Sequence, residues 1–448
     1  MILRKFSLTA VFLGLLLQSC SKDEDVYRSI PIEADEDLRA QIVSIYGSLE
    51  ALVLPNGTDL NTIPADPKNP ITKEKVALGQ LLFHETAMGL DAKLEMGLNT
   101  YSCASCHHAQ AGFQSGLKQG IGDGGIGFGS FGQTRAMNPF YEEADLDVQP
   151  IRSPTILNTA YQDVMLWNGQ FGATKTNAGT EASWTPGTPK ESNNLGFEGL
   201  EIQAIAGMGV HRLKCDPKMV IGSEYQPLFD AAYPDIPIEE RYTDLYAALA
   251  IAAYERTVMA SEAPFQLWLK GNAQSMSPDE TQGALLFFGK GECYTCHSGP
   301  GLNGMDFHAL GMKDFVTEEV HGIVDEATKK GRGGFTNNPL DDYAYKTPTL
   351  YNLRDVSFLG HGGSFSTVEE IIRYKNIAIP ENPDVPRNKL SSLFRPLGLD
   401  DQEIHQLTLF VANSLYDNDL QRFVPESLPS GNCFPVADYL SKQELGCD

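Results

Sequence analysis

Two short cysteine boxes constrain this chain more than any other feature of its sequence. Cys103-Ala-Ser-Cys106-His107 and Cys293-Tyr-Thr-Cys296-His297 both have the pattern CxxCH. In such a box the two thiols bond to haem vinyl groups as thioethers, and the histidine ligates the iron. A split four-cysteine zinc site, a pair of disulfides or a thioredoxin-like redox motif would need only CxxC. The histidine after both boxes therefore predicts two c-type haems. The attachment residues are Cys103, Cys106, Cys293 and Cys296, and the proximal iron ligands are His107 and His297.

The first twenty residues indicate export. Arg4 and Lys5 precede a short apolar run from Phe6 to Leu17, and Cys20 follows. The run is too short to cross a bilayer, so it predicts a signal peptide over residues 1–19. A cysteine at the cleavage point resembles the lipobox of bacterial lipoproteins, although an ordinary signal peptide before a free cysteine is the alternative. We expect a protein anchored through a lipid on Cys20, in the periplasm or at the outer-membrane surface.

Charge excludes some partners. The 448 residues carry a formal net charge of −24. Nucleic acids and anionic membrane surfaces are bound through clusters of Lys and Arg, so neither is an expected partner. The negative charge would instead steer a basic redox partner toward the protein.

Helical patterns dominate, and strand alternation is scarce. Lys73–Phe83 and Pro278–Phe288 both read as amphipathic helices that run into a CxxCH box. Ser277 and Glu280 predict a capping box for the second helix, and Asp400 and Glu403 predict another for a helix over 401–415. A further helix is predicted over 243–259. The fold class is therefore mainly α, with a duplicated cytochrome c unit that carries one covalently bound haem in each copy.

Four segments follow from this division. We expect a signal peptide (1–19), an acidic linker with an N-terminal helix (20–64), an N-terminal haem domain (65–270) and a C-terminal haem domain with a cysteine-containing tail (271–448). Cys433 and Cys447 bracket that tail and are predicted to form a disulfide in an oxidising compartment. Cys215 is then left as a buried, inert thiol.

Several ordered motifs accompany the boxes and resemble those of the bacterial dihaem cytochrome c peroxidase and MauG family, over about residues 65 to 425. The resemblance implies two cytochrome c-like domains, a peroxide site at the N-terminal haem and an electron-transfer haem in the C-terminal domain. The motifs are Asn69-Pro70, Lys73–Gly79, Arg152–Asn158, Leu166–Gly169, Ala252–Arg256, Lys346–Asn352, His361–Ser364 and Thr367–Glu370.

The resemblance also implies catalytic residues. The family cleaves peroxide with a Glu ten residues after a Gln-Ala pair, but counting from Gln203 leads to Leu213, which cannot transfer a proton. We expect His211, two residues earlier, to take this role, with a purely packing histidine as the alternative. Arg212 is predicted to polarise the departing oxygen. Trp167 matches the family tryptophan that passes electrons between the haems, and a core aromatic is its alternative.

The distal face of the first haem is predicted to be open. In the classical peroxidases of this family a histidine in the loop after the first box blocks the distal face until the enzyme is reduced, but the glycine-rich loop 120–132 has none. His108 is adjacent to the proximal ligand and badly placed to reach the opposite face. Met137 can supply a thioether, although a packing methionine is the more common case. We therefore expect a high-spin first haem that needs no reductive activation.

The ligand opposite His297 falls, by the family alignment, on Lys375, with Tyr374 beside it. A deprotonated amine or a phenolate oxygen there predicts a low-potential second haem. An exposed helix-end lysine is the alternative reading of Lys375. Met305 and Met312 follow the box closely and are a minor alternative as ligands.

The family also binds calcium between its domains, through residues that this chain lacks. Arg152 occupies the Asn position, and Val356-Ser-Phe358 occupies the other site. We do not expect calcium here and predict that the Arg152 guanidinium binds the same carbonyl groups.

The sequence therefore predicts a dihaem peroxidase that reduces hydrogen peroxide with electrons from a cytochrome or another external donor. One alternative is a MauG-like enzyme that uses peroxide to oxidise Trp or Tyr of a partner protein. The other is a dihaem electron carrier without enzymatic activity.

Overall fold

The structure, a computed structural model, describes residues 32–447. The predicted signal peptide and Cys20 lie outside these residues. Within them the fold is mainly helical, as predicted, and β-structure is limited to two antiparallel pairs of short strands. β1 (Gly125–Ile126) pairs with β2 (Ala136–Met137), and β3 (Phe307–His308) pairs with β4 (Tyr345–Lys346). The α-helices are α1 (Ile32–Tyr46), α2 (Lys73–His84), α3 (Gly199–Val210), α4 (Pro217–Val220), α5 (Tyr225–Ala232), α6 (Ile238–Arg241), α7 (Asp244–Glu255), α8 (Pro264–Leu269), α9 (Pro278–Phe288), α10 (Glu326–Lys329), α11 (Arg332–Thr336), α12 (Val368–Ile377), α13 (Asp401–Leu409) and α14 (Tyr439–Leu445).

The predicted helix starts are confirmed. In α9, Ser277 and Glu280 form the reciprocal capping box, with proline at the first helical position. In α13, Asp400 and Glu403 do the same. The last residues of the predicted 401–415 helix form a π-helical turn over Phe410–Ser414.

The helix predicted over 243–259 is shorter than expected, because α7 ends at Glu255. Beyond it the Val258 carbonyl accepts the N–H of Asn158 at 2.9 Å, and the Met259 carbonyl accepts a guanidinium N–H of Arg422 at 3.1 Å. These residues are buried, so their apolar pattern resembles a helix face. Their carbonyls bind other segments instead of continuing the helix.

A repeated G-x-L-L-F segment sets the packing of the helix before each box. Gly79 of α2 faces the carbonyl of Ala250 in α7, and Gly283 of α9 faces the carbonyl of Gln406 in α13. A Cβ at either glycine would overlap the facing oxygen. The same close helix crossing thus occurs in both halves, which supports the duplicated unit inferred from the sequence.

The motif residues of the N-terminal half include a buried ionic network. Arg256 donates to Glu201 at 2.9 and 2.6 Å, and both side chains are almost fully buried. Asn69 donates to the Glu201 carboxylate at 3.3 Å and to the Leu249 carbonyl at 2.9 Å. Removing one partner of such a pair leaves a buried charge and costs about 3–5 kcal/mol. These residues therefore hold α2, α3 and α7 together rather than act on a substrate.

The two ends of the described chain each pack against the opposite half. At the N-terminal end, Asp35 of α1 accepts the indole N–H of Trp268 at 2.6 Å, and α1 packs on α9. The C-terminal tail returns to the first box, where the Pro435 carbonyl accepts the hydroxyl of Ser102 at 2.9 Å. The buried hydrophobic side chains of both halves form one continuous cluster. Within residues 32–447 no helix is long and apolar enough to cross a membrane.

Candidate active site and haem-binding cavity

Each CxxCH box begins with a single turn of 3-10 helix, over Cys103–Ser105 and Cys293–Thr295. The turn brings the histidine back over the first cysteine, so that its backbone N–H donates to that cysteine's carbonyl. The distances are 3.2 Å for His107 and 2.9 Å for His297. All four box cysteines are free of disulfides, as thioether attachment requires.

Both box histidines are oriented for metal binding. His107 Nδ1 lies 3.3 Å from the Phe113 carbonyl, and His297 Nδ1 lies 3.2 and 3.1 Å from the carbonyls of Leu302 and Pro348. A carbonyl can only accept, so Nδ1 carries the proton and Nε2 is the free ligand atom. Burial lowers the pKa of each ring to about 4, which keeps both neutral. A neutral imidazole with a fixed tautomer is the form that ligates iron.

A large cavity adjoins the second box and extends toward the first. Cys293, Cys296 and His297 line one part of it, and Arg152 and Pro154 line the part nearest the first box. Lys346 is buried there with the Gln162 amide oxygen as its hydrogen-bond partner, and burial lowers its pKa to about 7. A buried cation without a carboxylate favours an anionic occupant. Together with the two boxes, this lining fits covalently attached haem, which carries two propionates.

Lys375 reaches this cavity, but Tyr374 is directed elsewhere. The Lys375 side chain lines the cavity, and burial lowers the pKa of its amine to about 8. The Tyr374 hydroxyl donates to the Leu310 carbonyl at 2.6 Å, and its ring packs between Phe365 and Phe394. Of the two predicted ligands, the lysine is the one that the fold presents to the second box.

The two nearby methionines differ in position. Met305 accepts the backbone N–H of Asp163 at its sulfur, 3.1 Å away, whereas Met312 lines the cavity. His308 also lines the cavity, and its Nε2 atom is buried without a hydrogen-bond partner among the described residues. Sequence reasoning missed His308 and Gln162. In the sequence, His308 is marked only by its position shortly after the second box and Gln162 only by its position shortly after the Arg152–Asn158 motif. Neither position reveals the cavity.

His211 lies beside the first box. It ends α3, and its Nδ1 atom lies 3.1 and 3.0 Å from the two carboxylate oxygens of Asp147. It is close enough to His107 for its charge to lower the pKa of that ring further. The His211 side chain is 38 % exposed and that of Asp147 is 5 % exposed. The pair thus has one buried anchor and one imidazole nitrogen, Nε2, that is free for proton transfer.

Gln203 shares a helix face with His211, because the two are eight residues apart with Gly207 between them. A Cβ at Gly207 would lie 3.8 Å from Gln203 Nε2 and 3.9 Å from His211 Cδ2, so the glycine keeps this face open. Leu213, the residue that the family count selects, is buried in the hydrophobic core. Sequence reasoning did not find Asp147, because it lies in a loop with no motif of its own.

Arg212 turns away from His211 and holds the neighbouring loops. Its guanidinium donates to Asp123 at 2.5 Å and to the Asp145 carbonyl at 2.6 Å. Asp123 also accepts the Tyr141 hydroxyl at 2.6 Å and the backbone N–H of Lys93 at 2.8 Å. Arg212 is therefore already paired with a carboxylate beside the segment that carries Asp147.

Trp167 and Arg152 lie between the region around the first box and the cavity at the second box. The Trp167 indole N–H donates to the Arg152 carbonyl at 2.9 Å, and Trp167 lines the cavity. The buried Arg152 guanidinium donates to the carbonyls of Leu117 and Ser115 at 2.7 and 3.0 Å and to the Gln114 amide oxygen at 3.0 Å. Without a carboxylate partner, burial lowers its pKa to about 9. Its guanidinium also lies 5.5 Å from the ring centre of Phe358.

The remaining residues named from the sequence have structural surroundings. Met137 in β2 packs against the small cluster of Ile121, Tyr141 and Leu146. Cys433 and Cys447 form a disulfide, and Cys215 is a buried free thiol.

The glycine-rich loop after the first box is bound by the C-terminal tail. Glu444 of α14 accepts the N–H groups of Phe128 and Gly129 at 2.6 and 2.8 Å, and Asp438 accepts that of Gly127 at 3.1 Å. Asp438 also pairs with the buried Arg135 at 3.3 Å. The tail therefore fixes the loop that lies over the first box.

Comparison with known proteins agrees with this geometry. The family model described as di-haem cytochrome c peroxidase matches residues 73–274. The methylamine utilization protein MauG of Methylorubrum extorquens is 27 % identical over 352 residues, which cover 78 % of this chain and 80 % of that protein. The cytochrome-c peroxidase IdrP1 of Denitromonas iodatirespirans is 29 % identical over 377 residues, which cover 79 % of this chain and 84 % of that protein.

A solved structure supports the fold. The crystal structure of a MauG-like protein associated with microbial copper homeostasis aligns with a TM-score of 0.54 at 21 % identity, over 82 % of this chain and 94 % of that one. The named relatives thus include both peroxidases and MauG proteins.

Proposed function

The chain belongs to the di-haem cytochrome c peroxidase family and is an oxidoreductase, and from this premise we propose that it reduces hydrogen peroxide to water beside the first box. Electrons come from an external small redox protein and pass through the second box and Trp167. The peroxide step would use the c-type haem held by the first cysteine pair and His107. Electron transfer would use the haem held by the second cysteine pair and His297. When bound, a haem would supply an iron that binds peroxide or carries an electron.

The His211–Asp147 pair carries this proposal. Peroxide cleavage needs one group that takes the proton from the inner oxygen and returns it to the outer oxygen, so that water leaves. With Nδ1–H donated to Asp147, His211 Nε2 has a lone pair for the first transfer and then becomes the donor for the second. Asp147 stabilises the imidazolium formed between the two transfers. A second pair of an imidazole and a carboxylate, His361 and Asp314, lines the cavity at the second box, but its imidazole is almost fully buried and is stacked on the Tyr345 ring.

Arg212 and Gln203 have supporting roles in this proposal. Because Arg212 is bound to Asp123 and to the Asp145 carbonyl, it positions the segment that carries Asp147. A direct polarising role would require its guanidinium to leave a buried carboxylate, which is costly. Gln203 borders the same open helix face as His211 and can orient the peroxide through its amide.

Trp167 relays electrons between the two regions in this proposal. Its indole N–H is fixed on the Arg152 carbonyl, and the Arg152 side chain binds the segment just after Phe113, whose carbonyl orients His107. The Trp167 carbonyl accepts the N–H of Lys346 at 2.7 Å, two residues before Pro348, whose carbonyl orients His297. The ring therefore has a fixed position relative to both boxes. In this proposal Arg152 takes the place of calcium, because its guanidinium binds the carbonyls of Ser115 and Leu117 and lies 5.5 Å from the ring centre of Phe358.

We further propose Lys375 as the second ligand of the haem at His297. It is the predicted donor whose side chain lines the cavity, and burial already favours its neutral form. An amine is a harder ligand than a thioether and favours Fe(III). This feature supports the MauG-like activity, oxidation of Trp or Tyr in a partner protein, as the second candidate function.

Turnover of the holoprotein distinguishes these functions. With both haems attached, we expect a high-spin ferric signal from half of the haem and steady oxidation of a ferrous small cytochrome by peroxide. Peroxide consumption without oxidation of any ferrous cytochrome, but with oxidation of added Trp- or Tyr-containing protein, would favour the MauG-like function. Two low-spin haems that do not react with peroxide would leave only an electron carrier.

A further inference from the structure

A chain of three contacting aromatic rings, those of Trp167, His361 and Tyr345, lines the cavity. Trp167 packs edge-on against His361 with ring centres 6.2 Å apart, and His361 stacks on Tyr345 with ring centres 3.8 Å apart at 14°. Asp314 Oδ1 lies 3.1 Å from both His361 Nε2 and the Tyr345 hydroxyl. The proposed peroxide reaction uses neither Tyr345 nor Asp314.

The Tyr345 end of this chain lies against the end of α10. The Tyr345 hydroxyl is 3.0 and 2.9 Å from the carbonyls of Thr328 and Lys329, at the end of α10. A Cβ at Gly331 would lie 3.0 Å from the Tyr345 ring, so a glycine covers the ring there. The neighbouring α10 residue Glu326 is 79 % exposed at its side chain. Tyr345 itself is half-buried, and Lys330, the residue after α10, is exposed, so an oxidised Tyr345 would lie near the protein surface.

We propose that Tyr345 is a redox-active tyrosine that receives an oxidising equivalent from Trp167. One electron moves from Tyr345 to the Trp167 cation radical, and the phenolic proton moves to the Asp314 carboxylate. The products are neutral Trp167, a neutral Tyr345 radical and protonated Asp314. Hydrogen peroxide is the ultimate oxidant, so this inference rests on the proposed function.

The surroundings of Tyr345 suit this step. A phenol is oxidised readily only when its proton has an acceptor, and Asp314 lies within hydrogen-bond distance. Burial, and the Asp314 charge after it, raise the pKa of Tyr345 well above the ordinary value, so the phenol keeps its proton until it is oxidised. His361 is much harder to oxidise than either neighbour, and its ring fills the gap between Trp167 and Tyr345. The Trp167 indole keeps its own proton, because it is bound to the Arg152 carbonyl.

The test uses the ferric holoprotein with both haems, mixed with hydrogen peroxide and freeze-quenched for electron paramagnetic resonance. We expect an organic radical whose hyperfine pattern changes in protein grown with ring-deuterated tyrosine. Tyr345→Phe keeps the stacked ring and should abolish this tyrosyl signal. Tyr343→Phe is the matched control, since Tyr343 lines the same cavity, and it should leave the signal intact. Asp314→Asn should move the radical from tyrosine to tryptophan.

Peroxide consumption, followed optically in the same samples, separates this inference from the proposed function. If wild-type protein and Tyr345→Phe both consume peroxide and show the same tyrosyl signal, the assignment of Tyr345 is wrong and the peroxidase proposal stands. If the wild-type protein consumes no peroxide, both proposals are wrong.

Discussion

The two CxxCH boxes lie in similar frameworks and face different side chains. Both follow a helix with a G-x-L-L-F crossing, and both histidines donate Nδ1–H to a backbone carbonyl. The first box, however, lies near the His211–Asp147 pair, whereas the second adjoins Lys375 and a cavity lined by buried cations. The duplicated unit therefore fixes the cofactor and its proximal ligand. In the proposed function, segments outside that unit determine what each copy does with them.

The covering segments differ as well. The first box is enclosed by a glycine-rich loop and by the C-terminal tail, which returns from the other half of the chain. The second box receives its facing residue from α12, a helix of its own half. We expect these two arrangements to respond separately to mutation.

Removing one proximal histidine should have the largest effect on the reaction with peroxide and give the clearest difference between the two boxes. In His107→Ala we expect the reaction with peroxide to slow by about 10⁴-fold or more, beyond the loss of a single acid–base group. His297→Ala should still react with the first equivalent of peroxide but fail to turn over with an electron donor. Stopped-flow absorbance measures both. Equal loss of the first reaction in the two variants would contradict distinct roles.

His211→Ala should leave both haems attached and slow peroxide cleavage by about 10²-fold, the usual contribution of a positioned acid–base group. Leu213→Met is the control, because it keeps the buried volume at the position selected by the family count. Single-turnover rates at saturating peroxide measure the step. A normal rate in His211→Ala, or an equal loss in the Leu213 variant, would reject the assignment.

Loss of the disulfide in the C-terminal tail should increase local opening around the first box only. Cys433→Ser opens a loop of 14 residues, and we expect it to lower the free energy of unfolding by about 3 kcal/mol. Hydrogen exchange should rise at the N–H groups of Phe128 and Gly129, which Glu444 binds, and remain unchanged around the second box. Cys215→Ser is the control for loss of a cysteine. Equal deprotection at both boxes would show that the two regions are not independent.

Substitution of Lys375 should affect only the second haem. In Lys375→Ala we expect altered near-infrared charge-transfer bands and a changed reduction potential for that haem, while Tyr374→Phe keeps the wild-type spectrum. His308→Gln tests another nitrogen donor that lines the cavity, the buried Nε2 atom without a hydrogen-bond partner among the described residues, and should also keep the ligand bands. A thioether band that survives in all three variants would identify Met312 as the ligand instead.

The sequence predicted the repeated framework better than the facing residues. The boxes, the capped helices and the helical class follow from local signals, because cysteine spacing and capping residues act within a few positions. Asp147 and His211 are 64 positions apart, and no local pattern relates them. The return of the tail to the first box is likewise a long-range contact. The family alignment did not distinguish Lys375 from Tyr374, because it does not show which way each side chain points. Adjacent residues of a helix point about 100° apart, and in the structure the Tyr374 hydroxyl donates to the Leu310 carbonyl while Lys375 lines the cavity.

The smallest expected effect concerns Asp147 and the pH dependence of the peroxide reaction at the first box. Burial lowers the pKa of His211, but Asp147 raises it by more, so the pKa lies above its ordinary value. Because only the neutral ring can accept the peroxide proton, the rate should fall as the pH drops through this raised pKa. Asp147→Asn removes the carboxylate charge, so the acidic limb of the pH–rate profile should move to lower pH. The plateau should fall by about 10-fold, as is typical when a partner that orients a functional side chain is replaced. Asp145→Asn is the control for the charge change in the same loop and should leave the limb in place. If both variants shift the limb equally, the effect comes from net charge and Asp147 does not position His211.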